Sequence, residues 1–449
     1  MEYIDEFERR FGISQEPFGL ALNELQQAAE SGHDVSAERE RFAELDYTDE
    51  PALLELYEAL PRTPPQTSPF FEASALVDIL AVLPPPSRRA PDPQRLADRI
   101  RGAWHGRVVG NMLGKPVELG WDREQTERYL RSQGALPLTD YIPIPDVSVT
   151  ALHASGFLLD SVVPYAAVSR GRIDGGVRDD DIDYTILGLH LVETYGPAYR
   201  TFDVAYEWLH RLPLYQTYTA ERAAYNNLVR EVPLDEVGEH RNPFREWIGA
   251  LIRADVFGYV RPGDPRAAAT MAYNDAVLSH RANGIYGAMW AAALISSAFV
   301  ADSPDDALAL SLAQIPPTSR LAAEIETVRA DHRAGLSWEE SIRGIDERHP
   351  GMSWVHTINN AGALTAALLW GDGDFTRTVG LAVLAGLDTD SIGATAGSWA
   401  GAFVGYDAIE RHWVEPLHGR TRSALFGFDD VDLDDLAART HRLVRTDRD

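Results

Sequence analysis

Residues 386–405 read Gly386-Leu387-Asp388-Thr389-Asp390-Ser391-Ile392-Gly393-Ala394-Thr395-Ala396-Gly397-Ser398-Trp399-Ala400-Gly401-Ala402-Phe403-Val404-Gly405. An acidic turn runs straight into small-residue sequence with glycine at every fourth position. The same spacing occurs once more, at Gly102, Gly106, Gly110 and Gly114. A glycine in a helix interior costs roughly 1 kcal/mol against alanine. Eight of them need a reason, and close approach of one helix backbone to another supplies it.

Working outward, nearly every periodic segment reads as helix: 95–113, 152–170, 183–195, 202–211, 219–231, 265–281, 284–300, 375–385, 391–405 and 431–445. Alternating strand patterns are nearly absent. Ser303-Pro304-Asp305-Asp306 places proline at a first helical position, and Ser337-Trp338-Glu339-Glu340 has the spacing of a capping box. The apolar run Gly287 to Ala301 is shorter than the roughly 20 residues a bilayer requires, so it reads as a buried helix. Proline-rich stretches at 61–65 and 84–93 mark linkers. The organisation expected is a helical N-terminal extension over residues 1–93 and an all-α domain over 94–449.

With 45% hydrophobic and 24% charged residues the composition is globular. A net charge of −27, with no basic patch, argues against extended contact with nucleic acid. The absence of cysteine removes disulfides, thiolate metal sites and a cysteine nucleophile, and suits a reducing, cytoplasmic setting. The acidic N-terminus carries no apolar signal segment, and no membrane association is expected. Lys115 is the sole lysine.

Two acidic clusters carry the chemistry: Asp179-Asp180-Asp181-Ile182-Asp183, and Asp388 with Asp390 ahead of Ser391. Like charges this close repel unless a cation or protons neutralise them. Carboxylate and hydroxyl oxygens suit hard ions such as Mg²⁺, Mn²⁺ or Ca²⁺. Capping of helix N-termini is the plainer use of such aspartates. The run 179–183 also satisfies the DDxxD pattern of class I terpene synthases. Its required second metal motif finds only a poor counterpart in Asn274-Asp275-Ala276-Val277-Leu278-Ser279.

Together with these clusters, Gly106-Arg107-Val108-Val109-Gly110-Asn111-Met112-Leu113-Gly114-Lys115-Pro116-Val117-Glu118 and Ser279-His280-Arg281-Ala282-Asn283-Gly284 resemble, in order, the motifs of the ADP-ribosylglycohydrolase family. The resemblance spans about residues 98–405. It implies a compact multi-helical orthogonal bundle holding two Mg²⁺ ions, with Mn²⁺ as a substitute. The implied activity is hydrolysis at C1 of an ADP-ribosyl group, on a small molecule or a protein. Carried over residue by residue, Asp179, Asp180, Asp181, Asp388, Asp390 and Ser391 would ligate metal. Glu118 and Asp181 would be the catalytic carboxylates. Gly258, Tyr259, His280, Asn283 and Gly284 would contact substrate. Asp179 stands where the family has a hydroxyl residue, and Asn111 where many members have aspartate. A relative that binds ribosyl groups without turnover is the other reading that these departures allow.

Overall fold

Because a glycine presents only backbone, two glycine-striped helices can touch along their whole length, and here they do. The computed structural model, which describes residues 15–118, 121–144 and 165–446, places the stripes on helices Leu96–Gly114 and Thr389–Val404. The two run antiparallel at the centre of the molecule. Gly102 faces the backbone of Gly401, Gly106 that of Gly397, Gly110 that of Gly393, and Gly114 that of Thr389. A side-chain carbon at any of these four would overlap the opposing carbonyl oxygen. The register brings the C-terminus of the first helix against the N-terminus of the second.

Helices wrap this pair, giving an all-α fold with a single short antiparallel ribbon, Arg420–Arg422 with Asp430–Asp432, among the described residues. The expected buried helix is Ala282–Ala298, every residue of which is buried. It packs against Pro265–Ala276 and against the second glycine helix. The expected caps form as read: Ser303 accepts from the Asp306 N–H, and Ser337 and Glu340 close a capping box. The helix expected over 152–170 lies outside the described residues except for its end, where Tyr165–Val168 is helical.

Helices Pro17–Glu30, Ser36–Glu44, Glu50–Ala59 and Leu76–Ala81 make up the N-terminal part. It has apolar clusters of its own, Leu25 with Leu56 and Leu60, and Leu20 with Leu53 and Tyr57. It meets the rest of the chain through buried charge. Arg245 donates to both oxygens of Glu24 at 2.9 and 2.8 Å, and Arg320 bridges Glu72 and Glu246 at 2.7 and 2.8 Å. Gln27 and Asn283 donate to Glu246 in the same network. Such pairs add little net stability over apolar contacts but fix one docking geometry, because a misplaced partner leaves a buried charge.

Glu30 sits at the edge of this interface. One oxygen accepts from Gln26 and from the Ser353 N–H, while the other is buried without a hydrogen bond, 3.8 Å from His356. Burial pushes its carboxyl from the ordinary 4.5 up to about 7. The folded chain therefore keeps a proton that the unfolded chain releases between these two values, and stability from this group is full below pH 4.5 and lost as pH rises through about 7. Glu30→Gln is expected to be more stable than wild type by about 2 kcal/mol at pH 8 and indistinguishable near pH 4.5. Urea unfolding at the two pH values measures this.

Candidate metal centre

The first glycine helix ends at Gly114 and continues through a single 3-10 turn, Lys115–Val117, to Glu118. Beside it two other helices begin, Asp180–Tyr195 with Asp179 at its N-cap and Thr389–Val404 with Asp388 at its N-cap. Three helix ends thus converge, and two of them offer the positive end of a helix dipole to negative groups. The Thr389 hydroxyl donates to the Gly114 carbonyl at 2.9 Å, tying the glycine helices together at the site.

Capping accounts for only part of the acid. Asp179 caps its helix by accepting from the Asp181 N–H at 3.0 Å, whereas the Asp388 side chain caps nothing. Two carboxylate triads form instead: Glu118, Asp388 and Asp390, and Asp179, Asp181 and Asp390, with the oxygens of each within 4.8 Å of one another. Asp390 belongs to both. Asp180 lies outside both triads. Asp183, the last acid of the 179–183 run, is turned away: it pairs with Arg178 at 2.8 Å and accepts from the Ala424 N–H at 2.9 Å.

Electrostatics record the crowding. Burial first, and then the charge of Asp390, push the carboxyls of Glu118 and Asp388 well above the usual range. Burial with the charge of Asp179 does the same to Asp181, and holds Asp180 up at about 8. Asp179 alone goes the other way. Against burial, the ammonium of Lys115 and its hydrogen bond hold Asp179 at about 2. Lys115 lies among the acids, on Asp179 and 3.4 Å from Asp390.

Several residues fix this arrangement. Asn111 donates to Asp179 at 2.9 Å and to Asp181 at 3.2 Å, and Ser391 donates to the same Asp181 oxygen at 3.2 Å. Arg107, buried below, pairs with Asp255 and donates to the Asp181 carbonyl at 2.9 Å. Asn360 accepts from the Asp388 N–H at 3.1 Å while donating to the carbonyls of Trp354 and His356. The turn before the second helix holds Leu387 at φ +65°, a strained conformation for a branched residue. The roles of Arg107 beneath Asp181 and of Asn360 beside Asp388 depend on contacts that residue order does not show.

The donor set fits a hard divalent cation: all carboxylate and hydroxyl oxygen, with no histidine or thiol among the clustered groups. One Asp181 oxygen and the Asn111 carbonyl oxygen are buried without a hydrogen bond, the former 3.5 Å from the Arg107 guanidinium.

The other residues expected at the site lie elsewhere. Gly258 packs against Ala292 and Ile295 of the buried helix. Tyr259 is fully buried, its ring 5.2 Å from that of Trp104 and its hydroxyl on Ser398. His280 hydrogen bonds with Ser279 at 2.8 Å beside the Arg253–Glu221 pair. Asn283 donates to Glu72 and Glu246, and Gly284 abuts the Arg245 carbonyl, so both serve the N-terminal interface. None of the five hydrogen bonds with the acidic cluster.

The family model described as ADP-ribosylglycohydrolase matches residues 92–449, four-fifths of the sequence and all three helix ends of the site. The chain belongs to the ADP-ribosylglycohydrolase family. A solved structure titled "ADP-ribosylglycohydrolase-related protein complex" aligns over 78% of this chain and 99% of its own at 20% identity, with a TM-score of 0.44. No curated protein matches the chain at a significant level. As an ADP-ribosylglycohydrolase family member the chain has no place for the DDxxD reading, which also needs Asp183, Asn274 and Asp275. Asp183 is spent on Arg178, Asp275 on Arg253, and Asn274 on the Tyr199 carbonyl. No described helix is long and apolar enough to cross a membrane.

Proposed function

We propose that the chain is a divalent-cation-dependent hydrolase acting at C1 of a ribosyl group, with an ADP-ribosyl conjugate, small or protein-linked, as substrate. One observation carries the reading: two buried carboxylate triads sharing Asp390, set at helix ends locked by backbone contact, in a chain of this family. Magnesium or manganese held in the cluster centred on Asp390, by the acids of its triads, would supply positive charge to ribose hydroxyls and to the displacement at C1.

The chain's own groups have distinct tasks in this scheme. Asn111 and Ser391 hold Asp181 in one orientation from below. Asn360 and the strained turn at Leu387 hold Asp388 from the other side. Glu118 is partly exposed at the rim, where burial and the charge of Asp390 raise its carboxyl, and it would face the cation as C1 takes on oxocarbenium character. Gly258, Tyr259, His280, Asn283 and Gly284 receive no substrate contact in this scheme.

The test is calorimetric titration of ADP-ribose into the protein with Mg²⁺ and, separately, with EDTA, followed by assay for ADP-ribose released from conjugates. Micromolar binding that needs Mg²⁺, with release, is the expected result. Binding without release would favour the binding-only relative. No binding in either sample would overturn the ADP-ribosyl reading.

A further inference from the structure

The acids of the cluster are not equally provided for. In the Asp179–Asp181–Asp390 triad every member already faces a basic side chain. Lys115 hydrogen bonds with Asp179 and lies 3.4 Å from Asp390, and Arg107 lies 3.5 Å from the Asp181 oxygen that lacks a hydrogen bond. In the Glu118–Asp388–Asp390 triad the provision is thinner. Lys115 is 3.9 Å from Glu118, and among the described residues no arginine, lysine or histidine pairs with Asp388. Yet Asp388 is only 6% exposed and so is buried, as Asp390, Asp179 and Asp181 are.

Geometry sharpens the contrast. A cation liganded by the Asp179 and Asp390 oxygens that Lys115 contacts would have to stand where the ammonium stands. The ammonium is delivered there by the backbone: Lys115 follows the last glycine of the locked helix, and its Gly114 neighbour is pinned against Thr389. Lys115 is also the only lysine the chain possesses.

We infer that Lys115 is a built-in cation occupying the Asp179–Asp181–Asp390 seat, so that the chain takes one divalent ion, at Glu118, Asp388 and Asp390, in place of the two that the family resemblance implies. This rests on the proposed cation dependence and deepens it. The Asn111–Asp179 hydrogen bond belongs to the same substitution. The neutral amide holds the carboxylate that the ammonium neutralises, so the lysine, the asparagine and the extra aspartate act as one unit.

The experiment counts ions. The full chain, stripped with EDTA, is dialysed against Mn²⁺, and bound metal is quantified for wild type, Lys115→Met and Lys115→Arg, with electron paramagnetic resonance on each. The expected result is one ion with an uncoupled Mn²⁺ spectrum in wild type and Lys115→Arg. Lys115→Met is expected to take two, with the spin coupling of ions roughly 4 Å apart. Two coupled ions in wild type would overturn the inference while leaving the proposed hydrolase intact. A single ion in folded Lys115→Met would also overturn it. No ion in wild type would instead sink the cation dependence itself. Should Lys115→Met fail to fold, the wild-type count and spectrum decide alone.

Discussion

Asp390→Asn is expected to lower divalent-cation affinity, and any activity that depends on it, by roughly 10³-fold, the equivalent of about 4 kcal/mol. Asp390 is the one residue common to both triads, so no arrangement of ions in the cluster avoids it. Its charge also helps to raise the Glu118 and Asp388 carboxyls, and it faces Lys115 at 3.4 Å. Asparagine keeps the shape and a polar group in the first turn of the helix while removing one of several crowded like charges. In EDTA the variant should therefore be at least as stable as wild type. The pairing of unchanged or improved urea stability with vanished Mg²⁺-dependent heat on adding ADP-ribose separates a lost ligand from a lost fold. Retained Mg²⁺-dependent binding would refute the role given to Asp390.

Gly110→Ala should destabilise the protein by about 3 kcal/mol or more, read as a fall in the urea midpoint by circular dichroism. The sign is opposite to ordinary expectation. In an exposed helix interior the same change stabilises by roughly 1 kcal/mol. Here the new methyl group would overlap the Gly393 carbonyl, and that oxygen is held by a helix that cannot retreat, since Gly393 in turn abuts Gly110. The helices must part, and Asp390 and Lys115 part with them. Gly344→Ala is the control. Its added carbon meets no backbone, only the outer guanidinium nitrogen of Arg348, whose other two nitrogens hold Glu324, and it should be near neutral.

The fold's local half was open to reading because local signals made it. The caps at Ser303 and Ser337 and the fully buried helix Ala282–Ala298 depend on residues a few positions apart. Glycine spacing announced close helix contact, but that the two stripes face each other is a pairing across nearly three hundred residues with no periodic trace. The site was legible to the same extent. Dense aspartate at helix starts has few physical uses, and the triads bring together Asp179, Asp181, Asp388 and Asp390 of the expected ligands with Glu118, read as a catalytic carboxylate, while Asp180 stands outside both. What order along the chain could not convey is which neighbours each residue would meet. Asn111 and Asp179 read as two unrelated departures from the family pattern and prove to be one hydrogen bond. His280 and Asn283 look reactive in a motif, yet an arginine–carboxylate network more than twenty residues away in sequence claims them. Tyr259 is mostly ring, and burying that ring against Trp104 outweighs any use of its hydroxyl at a cleft.

The docking of the N-terminal helices bears on where this protein begins as a physical object. Recognition by family likeness starts at residue 92. A chain cut there would surrender Glu24 and Glu72, leaving Arg245 without the carboxylate it pairs with and Arg320 with Glu246 alone. It would also strip Glu30 from the Ser353 N–H, one short segment away from the carbonyls of Trp354 and His356 that orient Asn360 against Asp388. The stretch that family likeness marks out is thus shorter than the stretch over which the buried ion pairs close.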